Sequence, residues 1–388
     1  GLGTSAAVED YGQARHGALC TCALSNGTDL VCQRRGLFTS GPIHHDAGSL
    51  AIATLEEDSK VVAAWRMGSA PYKGQVQWLG VGLEESGQAR TIDAEVAFVA
   101  VLVLSSTSIV YAYTDAQRNH EGTVVFCAVE FALLNCQAHH VFDRGPVHSV
   151  ALAALGHGAA LGLPPSAQSP RGDVIIAYEA GVGSGGGVRA GACIVGQAKL
   201  HCHSASAAVV VAGPTDGISV LALSATVFAV AYTDKSVRCP HPAQSRRRAQ
   251  HVCTLADGHP SIGKVTVCEA TFRGMGLDRP RVECAPEGAV VDGGSGTGAA
   301  ALAASSDGSF LAAYRCTGCG DFGAQAWARG CAVSASGGAF RWAVSCGAAE
   351  SVNSFATLGV ASAAVQGGFV VLYDDYGGRG FASARFAQ

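Results

Sequence analysis

One pattern recurs along this chain and limits its fold more than any other feature. A strand of small residues and leucine is followed by a gap of four to twelve residues, then by an apolar strand ending in an aromatic and often an acid. It reads VAVLVLSSTSIVYAYTD from Val99 to Asp115 and ISVLALSATVFAVAYTD from Ile218 to Asp234. Looser copies end at Trp65, Tyr314 and Asp375, and one with a Gly, Pro and Ser insertion ends in DVIIAYE at Glu179. The closing aromatics Trp65, Tyr113, Tyr178, Tyr232, Tyr314 and Tyr373 lie 48 to 82 residues apart, room each time for four short strands. A partial copy, AAVEDYG, opens the chain with Val8 in the aromatic's place. After the anchors come polar, Gly-rich turns and strands introduced by Gly, such as GTVVFCAVEF at Gly122 and GKVTVCEATF at Gly263.

Four antiparallel strands per repeat, repeated around a ring, predict an all-β fold, a β-propeller of four-stranded blades. The expected number of blades is seven, with six as the alternative, because the chain opens inside a second strand and closes after a third. A single domain over residues 1–388 follows, its ring closed by pairing of the N- and C-terminal strands. No amphipathic helix interrupts the pattern, which disfavours a parallel α/β fold.

Composition narrows the setting. Hydrophobic residues make up 48% of the 388, charged residues 14%, and there are 51 glycines, a balance that suits many short buried strands and argues against disorder. A net charge of −4 gives no reason to expect nucleic acid as a partner. No apolar run reaches the ~18 residues a spanning helix needs, so the chain is expected to be at most peripheral to a membrane complex. It starts at Gly1 without Met, so an upstream targeting segment is expected to have been removed or left out.

Fifteen cysteines fall mostly in the third and fourth strands of the repeats. Cys127 and Cys136, Cys193 and Cys202, Cys268 and Cys284, and Cys331 and Cys346 each flank a hairpin, and Cys20 or Cys22 can face Cys32. Non-hydrogen-bonded antiparallel neighbours approach to about the spacing a disulfide needs. Cys239 and Cys253 bracket an inserted loop, and Cys316 and Cys319 form a CxxC in a turn. Intra-blade disulfides and an extracytoplasmic, oxidising compartment are expected. Structural zinc would need a second knuckle that the sequence lacks.

Candidate ligand residues are the aromatic and acid pairs Tyr113/Asp115, Tyr232/Asp234 and Tyr373/Asp374, together with Tyr178/Glu179. Set around one face, they would stack on sugar rings and accept sugar hydroxyls. Their recurrence in nearly every repeat favours the plainer account, in which the tyrosine packs between blades and the acid caps the next turn. Arg246, Arg247 and Arg248, in the loop between Cys239 and Cys253, are the candidate contact for an acidic partner or a lipid head group. Asn26-Gly27-Thr28 is both a glycosylation sequon and a hairpin turn. The histidines at 44–45, 139–140 and 201–203 have metal-ligand chemistry but no metal-site context. No nucleophile elbow, phosphate loop or calcium loop is present, and nothing calls for a cofactor.

The repeat resembles proteins of marine protists and algae, dinoflagellates among them, and is similar in a general way to propeller lectins and to FG-GAP ectodomains, without the metal loops of the latter. The resemblance implies a scaffold or recognition surface, and, for an algal source, a thylakoid-lumen or cell-surface accessory subunit. The expected function is therefore a non-catalytic interaction module with a protein partner. A carbohydrate-binding propeller is the first alternative, and a hydrolase with a site in the central channel is the second.

Overall fold

The computed structural model describes residues 2–11, 14–25, 29–37, 43, 50–55, 60–80, 87–105, 107–130, 133–155, 173–181, 186–196, 199–202, 207–235, 261–272, 280–291, 300–304, 309–317, 324–337, 340–352, 360–365, 368–375 and 381–387, with backbone alone in some, 2–37 and 372–387 included. Apart from one turn of 3-10 helix at Ala116–Arg118, the regular structure among them is all β. Strands β1 (Leu2–Tyr11), β2 (Ala14–Ser25) and β3 (Asp29–Leu37) form the first antiparallel sheet. A continuous series follows: β4 (Leu50–Leu55), β5 (Lys60–Arg66), β6 (Lys73–Gly80), β7 (Arg90–Ser105), β8 (Ser108–Asp115), β9 (Glu121–Glu130), β10 (Leu133–Cys136), β11 (His140–Ala154), β12 (Val174–Ala180), β13 (Gly187–Gly196), β14 (Lys199–Cys202) and β15 (Ala208–Val211). The next sheet holds β16 (Thr215–Ala222), β17 (Val227–Asp234), β18 (Ile262–Thr271), β19 (Arg281–Cys284) and β20 (Ala289–Val290). Then come β21 (Ala301–Ala304), β22 (Ser309–Thr317), β23 (Ala324–Ala335) and β24 (Trp342–Ser351), and last β25 (Val360–Val365), β26 (Gly368–Asp375) and β27 (Phe381–Ala387).

The long series is several four-stranded units joined by two shared strands. β7 pairs with β6 through Arg90 to Glu95 and with β8 from Val96 onward. β11 pairs with β9 through His140 to Pro146 and with β12 from Val147 onward. Each shared strand is thus the outer strand of one unit and the inner strand of the next. The outer strand is broken elsewhere: β14 and β15 both pair with β13, and β19 and β20 both pair with β18.

Burial explains why the second strand of each repeat reads as an unbroken apolar run. β8 and β17 are buried on both faces, whereas the outer strand β24 has one buried residue, Trp342, and is otherwise partly buried or exposed. Because side chains alternate across a strand, odd and even positions serve different neighbours. In β8, Ile109, Tyr111 and Tyr113 pack with Val62, Val76 and Trp78 of the preceding unit, while Val110 and Ala112 pack with Val174, Ile176 and Tyr178 of the following one. The same parity holds in β17, where Phe228, Val230 and Tyr232 face back toward Ile175 and Ala190 and Ala229 and Ala231 face forward toward Phe310 and Tyr314. Sheets packed face to face in sequence through such seams are the blades of a propeller, as the repeat predicts.

The terminal sheets lie side by side, with the backbone of β3 near β27, and β1 lies near β4 of the long series. The expected hydrogen-bonded pairing of the N- and C-terminal strands is not among the described ladders. There β1–β3 and β25–β27 are separate three-stranded sheets, each complete through its own hairpins. Among the described residues no helix is long and apolar enough to cross a membrane.

Candidate functional site

The anchor tyrosines lie inside the seams. Tyr113 and Tyr232 are only 1% and 3% exposed. The Tyr113 hydroxyl is hydrogen-bonded to His139 Nδ1 at 2.7 Å and that of Tyr232 to Thr266 Oγ1 at 3.2 Å. Burial raises the pKa of both phenols above the ordinary tyrosine value. Asp115 accepts from the backbone N–H of Gln117 at 3.1 Å and lies 3.6 Å from Arg118. Asp234 accepts from Lys264 Nζ at 2.8 Å. The parity that makes these tyrosines core residues packs their faces inside the seams, and Asp115 and Asp234 both hold internal partners. The side chains of Tyr373 and Asp374 lie outside the described ones. His140 is likewise occupied, its Nε2 lying 2.8 Å from the Cys202 carbonyl oxygen.

Four of the expected bridges are formed: Cys127–Cys136, Cys193–Cys202, Cys268–Cys284 and Cys331–Cys346. Each joins a third strand to the outer strand beside it. The first members face Ile109, Val174, Phe228 and Phe310 across the ladder, the position four residues before the anchor tyrosine in every case. Cys316 is also disulfide-bonded. In the first sheet Cys22 stands opposite Cys32 and Cys20 opposite Arg34, so the backbone register pairs Cys22 with Cys32. Cys239, Cys253 and Cys319, the arginines 246–248 and Asn26 lie outside the described residues.

Two features stand out where the β11–β15 unit meets the β16–β20 sheet. The first is an open groove of about 520 Å³ lined by Val209, Val210, Val211 and Ala212 on one side and by Cys284, Ala285, Pro286, Glu287, Gly288 and Val290 on the other, with Tyr232 and Lys264 between. Val209 and Val290, on the two walls of the groove, are 58% and 44% exposed. β15 can run there because Gly187 takes a φ of +98° and brings its backbone against the Val211 carbonyl oxygen, where a Cβ would collide. Broken outer strands with polar or Gly-Pro interruptions could have been noticed in the sequence as KLHC…AVVV and RVEC…AV, but nothing local shows that their edges line one groove.

The second feature is the half-buried carboxyl of Glu179, at the end of β12. Ser149 faces it across the β11–β12 ladder, while Asp216 and Thr215 come from β16 and Lys235 follows β17. Burial, and then the nearby Asp216 charge, push Glu179 from the ordinary 4.5 up to about 7, while Lys235 and the hydroxyls of Ser149 and Thr215 pull it back. Lys235 Nζ lies 2.9 Å from Asp216 Oδ2. The pKa shift fixes a pH dependence. Below pH ~4.5 the folded and unfolded chains both hold this proton; between ~4.5 and ~7 only the folded chain does, so stability falls as pH rises through that window and the full cost remains above it. With solvent reaching the carboxyl, that cost is about 1–2 kcal/mol. Glu179→Gln should therefore gain about that much stability at pH 8 and nothing at pH 4, read by urea midpoints. An equal change at both pH values would show that the carboxyl is solvated.

No family model matches this chain, and no curated protein matches it. Among solved structures, a 6-phosphogluconolactonase-like protein of Bacteroides uniformis is similar at 11% identity and a TM-score of 0.49, over 99% of this chain and 94% of that one. The GH93 α-L-arabinofuranosidase of Fusarium graminearum gives 10% identity and a TM-score of 0.43, over 88% and 92%. The fucose-recognising lectin of Aleuria aurantia, a six-bladed β-propeller, gives 11% and 0.37, over 90% and 94%. The chain is an all-β propeller on the strength of its own ladders and seams.

Proposed function

We propose that this protein is a non-catalytic recognition module of seven blades that works in an oxidising, extracytoplasmic setting and takes an extended segment of a protein partner along the groove between β15 and β20. The groove carries this reading. β15 pairs only with β13 and β20 only with β18 among the described ladders, so each presents an outer edge to the groove. A free strand edge offers backbone donors and acceptors to an added strand, and the valines beside it offer pockets for alternate side chains. Four closed disulfides support the oxidising setting. Seven blades are supported by the first sheet, which carries a complete third-and-fourth-strand hairpin of its own.

The test is selection of binders from a displayed library of random linear peptides against the disulfide-intact protein, followed by hydrogen exchange. Binders should protect backbone amides of β15 and β20, and the double variant Val209→Asp, Val290→Asp should weaken them at least about tenfold, by placing charge where apolar surface is buried. Selected peptides that protect amides elsewhere, or that bind the double variant unchanged, would exclude the groove.

A further inference from the structure

The bridging cysteines allow the same positions to be compared in four outer strands. In β10, β14 and β19 the cysteine closes a strand of four residues, and the third and first residues before it are Leu133 and Asn135, Lys199 and His201, and Arg281 and Glu283. β24 is built differently. It runs for ten residues, and the same two positions hold Ala343 and Ser345, both exposed. Outer strands are ordinarily kept from pairing with other chains by being short or by carrying charge along the edge. β24 is long and carries no charge from Trp342 to Ala349.

The direction of its backbone groups follows from the ladder. Among the described ladders β24 pairs only with β23, with one shift of register between Arg329 and Cys331, so a regular stretch runs from Trp342 to Cys346. Cys331 and Cys346 stand 4.1 Å apart at Cα, the close spacing of a non-hydrogen-bonded pair. The amide and carbonyl of Cys346 therefore point away from β23, and by alternation so do those of Val344 and Trp342. The turn agrees: the carbonyl of Arg341, next to Trp342, accepts from the Ser336 N–H on the β23 side. The side chains of Trp342, Val344 and Cys346 pack in the seam with Phe310 and Tyr314, which leaves Ala343 and Ser345 on the outer face.

We propose that β24 pairs edge to edge with β24 of a second copy of this chain, antiparallel about a two-fold axis at Val344. Trp342 then stands opposite Cys346 of the second copy and Val344 opposite its own counterpart, each pair exchanging both backbone bonds. Ala343 comes to face Ser345 across the axis. The outer face of the joint thus holds only small, uncharged side chains, and nothing on one copy repels its equivalent on the other. A joint of this length buries little area and gives a dimer that forms and dissociates with concentration. The proposal is independent of the peptide groove, which lies along β15 and β20.

The experiment is sedimentation equilibrium of the disulfide-intact chain from micromolar to millimolar concentration, with hydrogen exchange at both ends of that range. A monomer–dimer equilibrium is expected, the amides of Trp342, Val344 and Cys346 gaining protection in the dimer. Ala343→Lys with Ser345→Lys sets like charges across the axis and should weaken association about tenfold or more at low salt. Ala343→Lys with Ser345→Glu sets opposite charges there and should restore most of it, with thermal midpoints confirming that both variants are folded. The groove variant Val209→Asp, Val290→Asp should leave association intact, which separates failure here from failure of the peptide reading. A chain that stays monomeric throughout overturns the proposal, as does a dimer that protects other amides or loses affinity equally in the two charged variants. Selected peptides that protect the β24 amides of a monomeric chain would give the edge to a partner's strand instead.

Discussion

Tyr178→Ala should lower stability by about 3–5 kcal/mol, the cost of emptying a large aromatic site in a close-packed core. Its ring is 2% exposed and packs on Phe142 with the ring centres 5.1 Å apart, in the seam that also holds Val110, Val124 and Ile176. Its hydroxyl interacts with Asp143, which in turn lies 3.6 Å from Arg189 and accepts from the backbone N–H of Gly145 at 2.8 Å. Tyr178→Phe keeps the packing and leaves Asp143 with those two partners, so its cost should be about 1 kcal/mol. The contrast between the two variants is the informative quantity, measured by denaturant unfolding at constant slope. A loss below ~1 kcal/mol for the alanine variant would mean that this seam is not packed as described.

Full reduction of the protein should unfold it under conditions where the oxidised form is stable. The four described bridges close loops with sequence separations of 9, 9, 16 and 15 residues. Loops of that size confer about 2.5–3 kcal/mol each when the constraint acts on the unfolded chain. Together this is on the order of 10 kcal/mol, as large as the whole net stability of a typical domain. Removing only Cys268 and Cys284, as a double alanine variant, should lower the thermal midpoint by several degrees without abolishing folding. The measurement is thermal unfolding by circular dichroism with and without reductant. An unchanged midpoint in the reduced protein would assign the bridges no stabilising role.

What the sequence revealed and what it hid divide along one physical line. The second strands were legible because their double-sided burial writes an uninterrupted apolar run ending in an aromatic, and the hairpin cysteines because their partners are at most 16 residues away. The role of Tyr113 and Tyr232 was less legible, since a tyrosine beside an acid suits either a core anchor or a sugar platform and only its recurrence favours the anchor. Only the parity of the strand, seen against both neighbouring sheets, separates the two. The Glu179 cluster was harder still. Asp216 and Lys235 belong to the next repeat, at no regular spacing from Glu179, and a single acid in place of Thr114 or Thr233 looks like ordinary variation between copies. The shared strands were missed because β11 runs through Gly145 and Pro146 without stopping, at residues that ordinarily signal a turn.

Those shared strands bear on how an array of this kind can grow or shrink. β7 and β11 are 16 and 15 residues long and are bonded at one end to one sheet and at the other to the next. A gene duplication that added or removed one copy across either strand would have to leave both ladders in register, and a breakpoint inside the strand would cost two sheets an edge at once. The joint between β15 and β16, by contrast, passes through Gly213 and Pro214 with no ladder to interrupt. Copies are more readily gained, lost or exchanged at joints of that second kind, so the three units tied by β7 and β11 should be inherited as a block.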